Sequence, residues 1–227
     1  MSTDGRRHYE QTRIMLRPVG SGLPLGFFSF GIGMLLLGSQ AIGWIPASEQ
    51  RDVGLLLASF VFPLELVAMI FAFLARDTLG ATTLGLFTTS WLALGLSDLN
   101  APAGSTSVTL GIYLFGFATA AALLAVLSAL GKPFFTVLLS VATARMVLSG
   151  LYEVGAAGKH VFHASGWCGI ALAGLAMYGG TALALEDAKQ GAVLPLFRRG
   201  QARSAIQESY ESHLQRLESE PGVRPQL

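Results

Sequence analysis

Six long apolar segments constrain this chain more than any other feature of its sequence. A helix needs about 20 mainly apolar residues to cross the hydrocarbon core of a bilayer. Only 13% of the 227 residues are charged, about half the share that is usual in soluble domains. We therefore predict an all-α, polytopic membrane protein whose six transmembrane helices form a compact bundle in the lipid bilayer. The predicted spans are residues 24–45, 53–75, 79–97, 108–130, 133–152 and 161–185.

The basic residues are distributed unevenly between the two ends of these spans. Twelve would lie on the side of both termini, whereas only Arg51 and Lys159 would lie on the other side. The positive-inside rule then places both termini in the cytoplasm and the bundle in the cell membrane, plasma or inner. We predict a cytoplasmic tail over residues 1–20, a transmembrane domain over 21–196 and a second cytoplasmic tail over 197–227. Residues 203–218 are either a short amphipathic helix or part of a solvated tail.

Composition and motifs argue against several other functional classes. A net charge of +1 provides no basic surface for nucleic acid. The single cysteine, Cys168, leaves no disulfide and no thiolate metal site within one chain. The sequence also contains no nucleophile elbow, zinc-protease helix or phosphate-binding glycine loop. We expect no enzyme activity, no catalytic residue, no cofactor and no bound metal.

Small residues are concentrated in the first and last spans. The chain has 27 glycines, and the pairs Gly169–Ala173 and Ala176–Gly180 repeat the spacing that lets helix backbones approach closely. We expect spans one and six to be tightly packed. The pattern fits packing within one bundle and contact between copies of the chain equally well.

Ionisable residues within the spans are candidates for function, because hydrocarbon penalises them. An arginine at the centre of a span costs about 2.5–3.5 kcal/mol on insertion scales, and Arg145 lies near the middle of span five. Glu65 lies in span two, shortly after Pro63, which should kink that helix, and Glu153 ends span five. Two hypotheses follow: these residues line an anion path, or Arg145 and Glu65 form a buried ion pair outside any path.

The beginning of span one resembles the signature N-P-A-P-L-G-L-x-G-F-G of the acetate uptake transporter family (the YaaH/SatP group). The residues that carry this match are Pro24, Leu25, Gly26 and Gly31. Four further stretches resemble the family in the same order, from about residue 21 to residue 196. They are Gly80 to Trp91, Leu110 to Tyr113, His163 to Trp167 and Ala192 to Pro195.

This resemblance implies a six-helix protomer that assembles as a ring-shaped hexamer, with one solute path in each protomer. Members of the family carry acetate and in some cases succinate, often by proton symport. By motif, the narrow point of the path corresponds to Phe30, Phe87 and either Ala142 or Thr143, and His163 lies at the mouth. The chain departs from the family at Ser21 and Gly22, which replace the first asparagine and proline, and at Glu65 and Arg145.

We therefore expect a transporter or channel for small monocarboxylates such as acetate. Apolar rings at a narrow point form a dewetting barrier, which a small solute passes more easily than a hydrated ion. Two alternatives remain open: a channel of the same fold for a neutral solute or another anion, and a membrane scaffold or sensor that acts through its C-terminal tail.

Overall fold

A computed structural model of the protein describes residues 20–75, 77–189 and 191–199. The predicted tails, apart from Gly20 and residues 197–199, lie outside the described residues, as does the candidate amphipathic helix over 203–218.

The described part of the chain contains seven α-helices and no β-strand, which confirms the all-α fold. A π-helical turn, Leu57–Val61, joins the helices Gln50–Leu56 and Phe62–Leu74, so that Ala47–Leu74 forms one span. Six helical segments are long and apolar enough to cross a bilayer, and they agree with the six predicted spans to within a few residues at most ends. The chain is therefore a multi-pass membrane protein. Its helices are α1 (Leu23–Ala41), α2 (Gln50–Leu56), α3 (Phe62–Leu74), α4 (Thr78–Asn100), α5 (Val108–Ser128), α6 (Pro133–Glu153) and α7 (Lys159–Lys189).

Polar caps and an ion pair define the end of the bundle at which α1, α4 and α6 begin, here called the inner end. The Asp77 carboxylate accepts a hydrogen bond from the Gly80 N–H at 3.0 Å and so caps α4. The same carboxylate binds the Lys132 ammonium, with both oxygens 2.8 Å from Nζ. This pair ties the turn before α4 to the turn before α6.

The kink expected at Pro63 takes the form of the π-helical turn. The Phe62 N–H donates to the carbonyl of Leu57, five residues earlier, and Pro63 has no N–H to donate. Such turns insert one residue into a helix and are frequent at functional sites. Here the turn immediately precedes α3 and its buried Glu65.

Close helix contacts confirm that spans one and six are tightly packed. The interface between α1 and α7 is the most extensive between any two helices of the described residues. A Cβ on Gly38 of α1 would lie 3.0 Å from the carbonyl oxygen of Gly166 on α7, so a larger residue at Gly38 would push the two backbones apart.

The crossing of α2 and α4 is equally close and allows a direct test of the packing. A Cβ on Gly95 would lie 2.7 Å from the carbonyl oxygen of Gly54, and the converse distance is also 2.7 Å. We expect Gly95→Ala to destabilise the protein by about 1–3 kcal/mol through overpacking, seen as a lower melting temperature in detergent. Gly116→Ala is the matched control, because a Cβ on Gly116 meets nothing within 4 Å. Equal melting temperatures for the two variants would contradict this account.

Candidate solute path

Three cavities lie along the bundle. The outer cavity, of about 320 Å³, opens among the connections after α1, α4 and α6. The inner cavity, of about 60 Å³, lies at the inner end beside Asp77 and Lys132. A central cavity of about 20 Å³ lies against Phe30, Phe87 and Glu65.

One face of α1 and one face of α4 line all three cavities. On α1, Leu23 lines the inner cavity, Phe30 the central one and Leu37 the outer one, and on α4 the corresponding residues are Gly80, Phe87 and Leu94. Each step is seven residues, which is two helical turns and a rise of about 10.5 Å. The cavities are therefore stacked in one line across the bundle.

Aromatic rings close this line at its centre. The ring of Phe87 packs edge-on against those of Phe30 and Phe117, with both centroid distances at 5.0 Å. The indole of Trp91 packs against Phe30 at 5.8 Å. Phe30 and Phe87, which the family resemblance assigned to the narrow point, thus lie in contact and both line the central cavity.

The two residues that the resemblance suggested from α6, Ala142 and Thr143, do not line the central cavity. Ala142 is fully buried in the core and lines none of the three cavities. Thr143 donates its hydroxyl to the Leu139 carbonyl of its own helix at 2.8 Å. Leu138 lines the central cavity instead, one turn before Ala142 on the same face of α6.

Glu65 is fully buried beside the aromatic rings. One carboxylate oxygen accepts a hydrogen bond from the indole N–H of Trp91, and the other oxygen, Oε1, has no hydrogen-bond partner among the residues that the structure describes. A Cβ on Gly33 would lie 2.8 Å from the Trp91 ring, so α1 leaves the space that this indole occupies. Trp91 is a site residue that the sequence analysis did not identify.

Arg145 lies on the floor of the outer cavity, and the ion pair with Glu65 is not formed. Both ion pairs in the described part of the chain lie elsewhere, and Nε of Arg145 has no hydrogen-bond partner. Arg145 and Glu65 lie at different depths in the bundle. Leu138 lines the central cavity together with Glu65, and Arg145 follows Leu138 by two helical turns, a rise of about 10.5 Å. The ion-pair hypothesis was therefore wrong, and Arg145 faces the line of cavities.

Two acidic residues and a histidine also line the outer cavity. They are Glu153 at the end of α6, His163 of α7 and Asp98 of α4. A carboxylate oxygen of Glu153 accepts from the Ser107 N–H at 2.8 Å. Asp98 and Glu153 lie close enough for their charges to interact.

The segment after α7 crosses the inner cavity. The Arg199 N–H donates to the Gly131 carbonyl at 2.9 Å, and the Tyr178 hydroxyl donates to the Pro195 carbonyl at 3.0 Å. Arg198 lines the cavity and forms an ion pair with Glu186. The inner cavity is thus covered partly by residues 191–199.

The signature residues at the start of α1 serve packing. Pro24 lies in the first turn of the helix, where a missing N–H is tolerated, and Leu25 is exposed. A Cβ on Gly26 would lie 2.7 Å from the Leu84 side chain, and one on Gly31 would lie 3.1 Å from Met177. The two glycines therefore bring α4 and α7 close to α1 around Phe30.

Comparison with known proteins agrees with this architecture. No protein-family model and no curated protein sequence matches the chain. Among solved structures, the bacterial acetate channel SatP matches with a TM-score of 0.69 at 18% sequence identity. The match covers 78% of this chain and 98% of the channel. The protein therefore has the six-helix fold of the bacterial acetate channel SatP.

Proposed function

We propose that the protein passes small monocarboxylates, such as acetate, through each protomer along the stacked cavities. The observation that carries this proposal is the two-turn spacing by which single faces of α1 and α4 line all three cavities. Phe30 and Phe87 separate two wider, polar ends, as a dewetting barrier requires. The fold of an acetate channel supports the same function. The guanidinium of Arg145, which forms no ion pair within the described part of the chain, would attract anions at the outer end.

Uptake of labelled acetate into liposomes that contain the purified protein tests the proposal. We expect uptake above that of protein-free vesicles at one or more values between about pH 5 and 7.5, a range above the pKa of a carboxylic acid in which the share of the neutral acid falls strongly. Uptake equal to that of protein-free vesicles throughout this range would contradict it.

The second candidate, a neutral small solute, is favoured by the apolar rings at the narrow point, and vesicle swelling in such solutes without pH dependence would support it.

Blocking the path from one helix gives a sharper test. Leu94 lines the outer cavity above the rings, and Leu96, two residues later, is exposed on the outside of α4. We expect Leu94→Trp to reduce acetate uptake at least about tenfold, which corresponds to a barrier higher by about 1.4 kcal/mol. Leu96→Trp makes the same change toward lipid and should leave uptake unchanged. Equal uptake by the two folded variants would place the path elsewhere.

We further propose a ring-shaped hexamer in the cell membrane with both termini cytoplasmic. Support comes from the family resemblance and from the outward-facing Gly174, whose added Cβ would meet nothing within 4 Å and which would let another helix approach. Native mass spectrometry should give six times the protomer mass of 23.9 kDa, and a single protomer mass would contradict the assembly.

A reporter that is active only outside the cytoplasm tests the orientation. Fused to the C-terminus, it should stay inactive, and reporter activity would contradict a cytoplasmic C-terminus.

A further inference from the structure

Two buried donors on the floor of the outer cavity have no acceptor. Arg145 and Ser149 are each 6% exposed, line the cavity and lie one turn apart on α6. Among the described residues, neither Nε of Arg145 nor Oγ of Ser149 has a hydrogen-bond partner. Buried polar groups are nearly always paired. A carboxylate in the cavity could accept from the guanidinium, which binds two oxygens in parallel, and from the Ser149 hydroxyl once that side chain turns toward the cavity.

Gly169 of α7 determines where the guanidinium lies. A Cβ on Gly169 would lie 3.1 Å from Nε of Arg145 and 3.0 Å from Cα of Gly38. The guanidinium therefore lies against the exposed backbone of α7, in a space that only a glycine leaves open. Alanine at this position would crowd both the guanidinium and the backbone of α1 without changing the charge of Arg145.

The mouth of the same cavity carries the opposite charge. Asp98 and Glu153 line it close to one another, and neither takes part in the ion pairs of the described residues. Glu153 follows Arg145 by eight residues on α6, a rise of about 12 Å. A simple anion on Arg145 would lie near two carboxylates, whereas a ligand with a cationic group at its other end would be stabilised at both ends.

The overall charge and size of the cavity match such a ligand. Besides His163, its lining contains two acidic residues, Asp98 and Glu153, and two basic residues, Arg145 and the exposed Lys159. A volume of about 320 Å³ is at the small end of the range for ligand pockets, about 300–1,000 Å³. A small molecule with one carboxylate, one ammonium group and no net charge fits this lining.

We propose that the outer cavity binds a small zwitterionic amino acid, for which glycine and β-alanine are the simplest probes. Its carboxylate accepts hydrogen bonds from Arg145 and Ser149, and its ammonium group lies toward Asp98 and Glu153. This inference rests on the proposed function, because the cavity is the outer part of the proposed path, and it specifies which monocarboxylates bind there.

Calorimetric titration of the purified protein in detergent compares ligands that differ only by the ammonium group. We expect β-alanine to bind at least about tenfold more tightly than propionate, and glycine more tightly than acetate. Arg145→Gln should weaken the binding of β-alanine and of propionate by about 30-fold, the loss typical of truncating one partner of a buried ionic contact. Gly169→Ala, which retains the charge of Arg145, should weaken the binding of both ligands. If Arg145→Gln does not fold, Arg145→Lys takes its place in the comparison.

The acidic residues provide the decisive comparison. Asp98→Asn and Glu153→Gln should each weaken the binding of β-alanine about fivefold, as expected for a partly exposed charge pair. Neither substitution should weaken the binding of propionate. Glu49→Gln is the control, because Glu49 is exposed at the same end and does not line the cavity.

Three results would overturn the proposal: equal affinities for β-alanine and propionate, an equal effect of Glu153→Gln on both, or no binding of either by the folded protein. Acetate uptake by liposomes without amino acid binding would leave the proposed function standing and reject this inference. Amino acid binding without acetate uptake would support amino acid binding in the outer cavity and reject the proposed passage of acetate.

Discussion

Replacing Phe87 by alanine should increase the flux of small neutral solutes through the reconstituted protein by about tenfold or more. The Phe87 side chain is 2% exposed and contacts both Phe30 and Phe117 at the centre of the line of cavities. Removing its ring would join the central cavity to the space above it, and each tenfold gain in flux corresponds to about 1.4 kcal/mol off the barrier. Vesicle swelling in urea or glycerol measures the effect directly.

The same substitution should also destabilise the fold, by about 3–5 kcal/mol for loss of a buried phenylalanine ring. Stability must therefore be measured beside flux. Phe73→Ala is the matched control, because Phe73 is 53% exposed on α3 and its ring contributes neither to the path nor to the core. A folded Phe87→Ala variant with the flux of the unmodified protein would show that these rings do not limit passage.

Replacing Trp91 by phenylalanine should destabilise the protein by about 2–3 kcal/mol, the desolvation penalty of a buried polar group left without its partner. The indole N–H of Trp91 donates to the fully buried Glu65 carboxylate, and phenylalanine keeps an aromatic ring while removing that donor. Denaturant titration in mixed micelles gives the change in the free energy of unfolding.

A second substitution distinguishes lost pairing from lost packing. In the Trp91→Phe background, Glu65→Leu removes the unpaired carboxylate, and we expect the double variant to recover part of the lost stability, because replacing both partners by apolar groups is nearly neutral. Trp167→Phe, on an exposed tryptophan, controls for the loss of an indole in general. A double variant less stable than Trp91→Phe alone would contradict this interpretation.

The spans were predictable because hydropathy reports which solvent surrounds a segment, and all six were found. The relative heights of side chains on different helices were not, because hydropathy contains no information on register between helices. Arg145 and Glu65 are both unusual at membrane depth, which suggested that they pair. The register places Glu65 beside Leu138 instead, and the donor for Glu65 comes from Trp91 of α4.

A signal for part of this register was present in the sequence. Once Phe30 and Phe87 are placed at one level, residues seven positions away on the same helices must share their face. That rule would have identified Leu37 and Leu94, and it would have placed Arg145 two turns from Leu138. Asp98 carried no such signal, because only the fold brings the end of α4 next to Glu153.

The seven-residue spacing makes the length of α1 and α4 as important as their composition. Inserting one residue between Phe30 and Leu37 would rotate everything beyond it by about 100°, turning Leu37 away from the line of cavities while Phe30 kept its place. Side chains at each level can therefore vary independently of the others, whereas insertions and deletions can be accepted only in compensating pairs. The rotational positions of side chains along α1 and α4, more than any single side chain, keep the three cavities in one line.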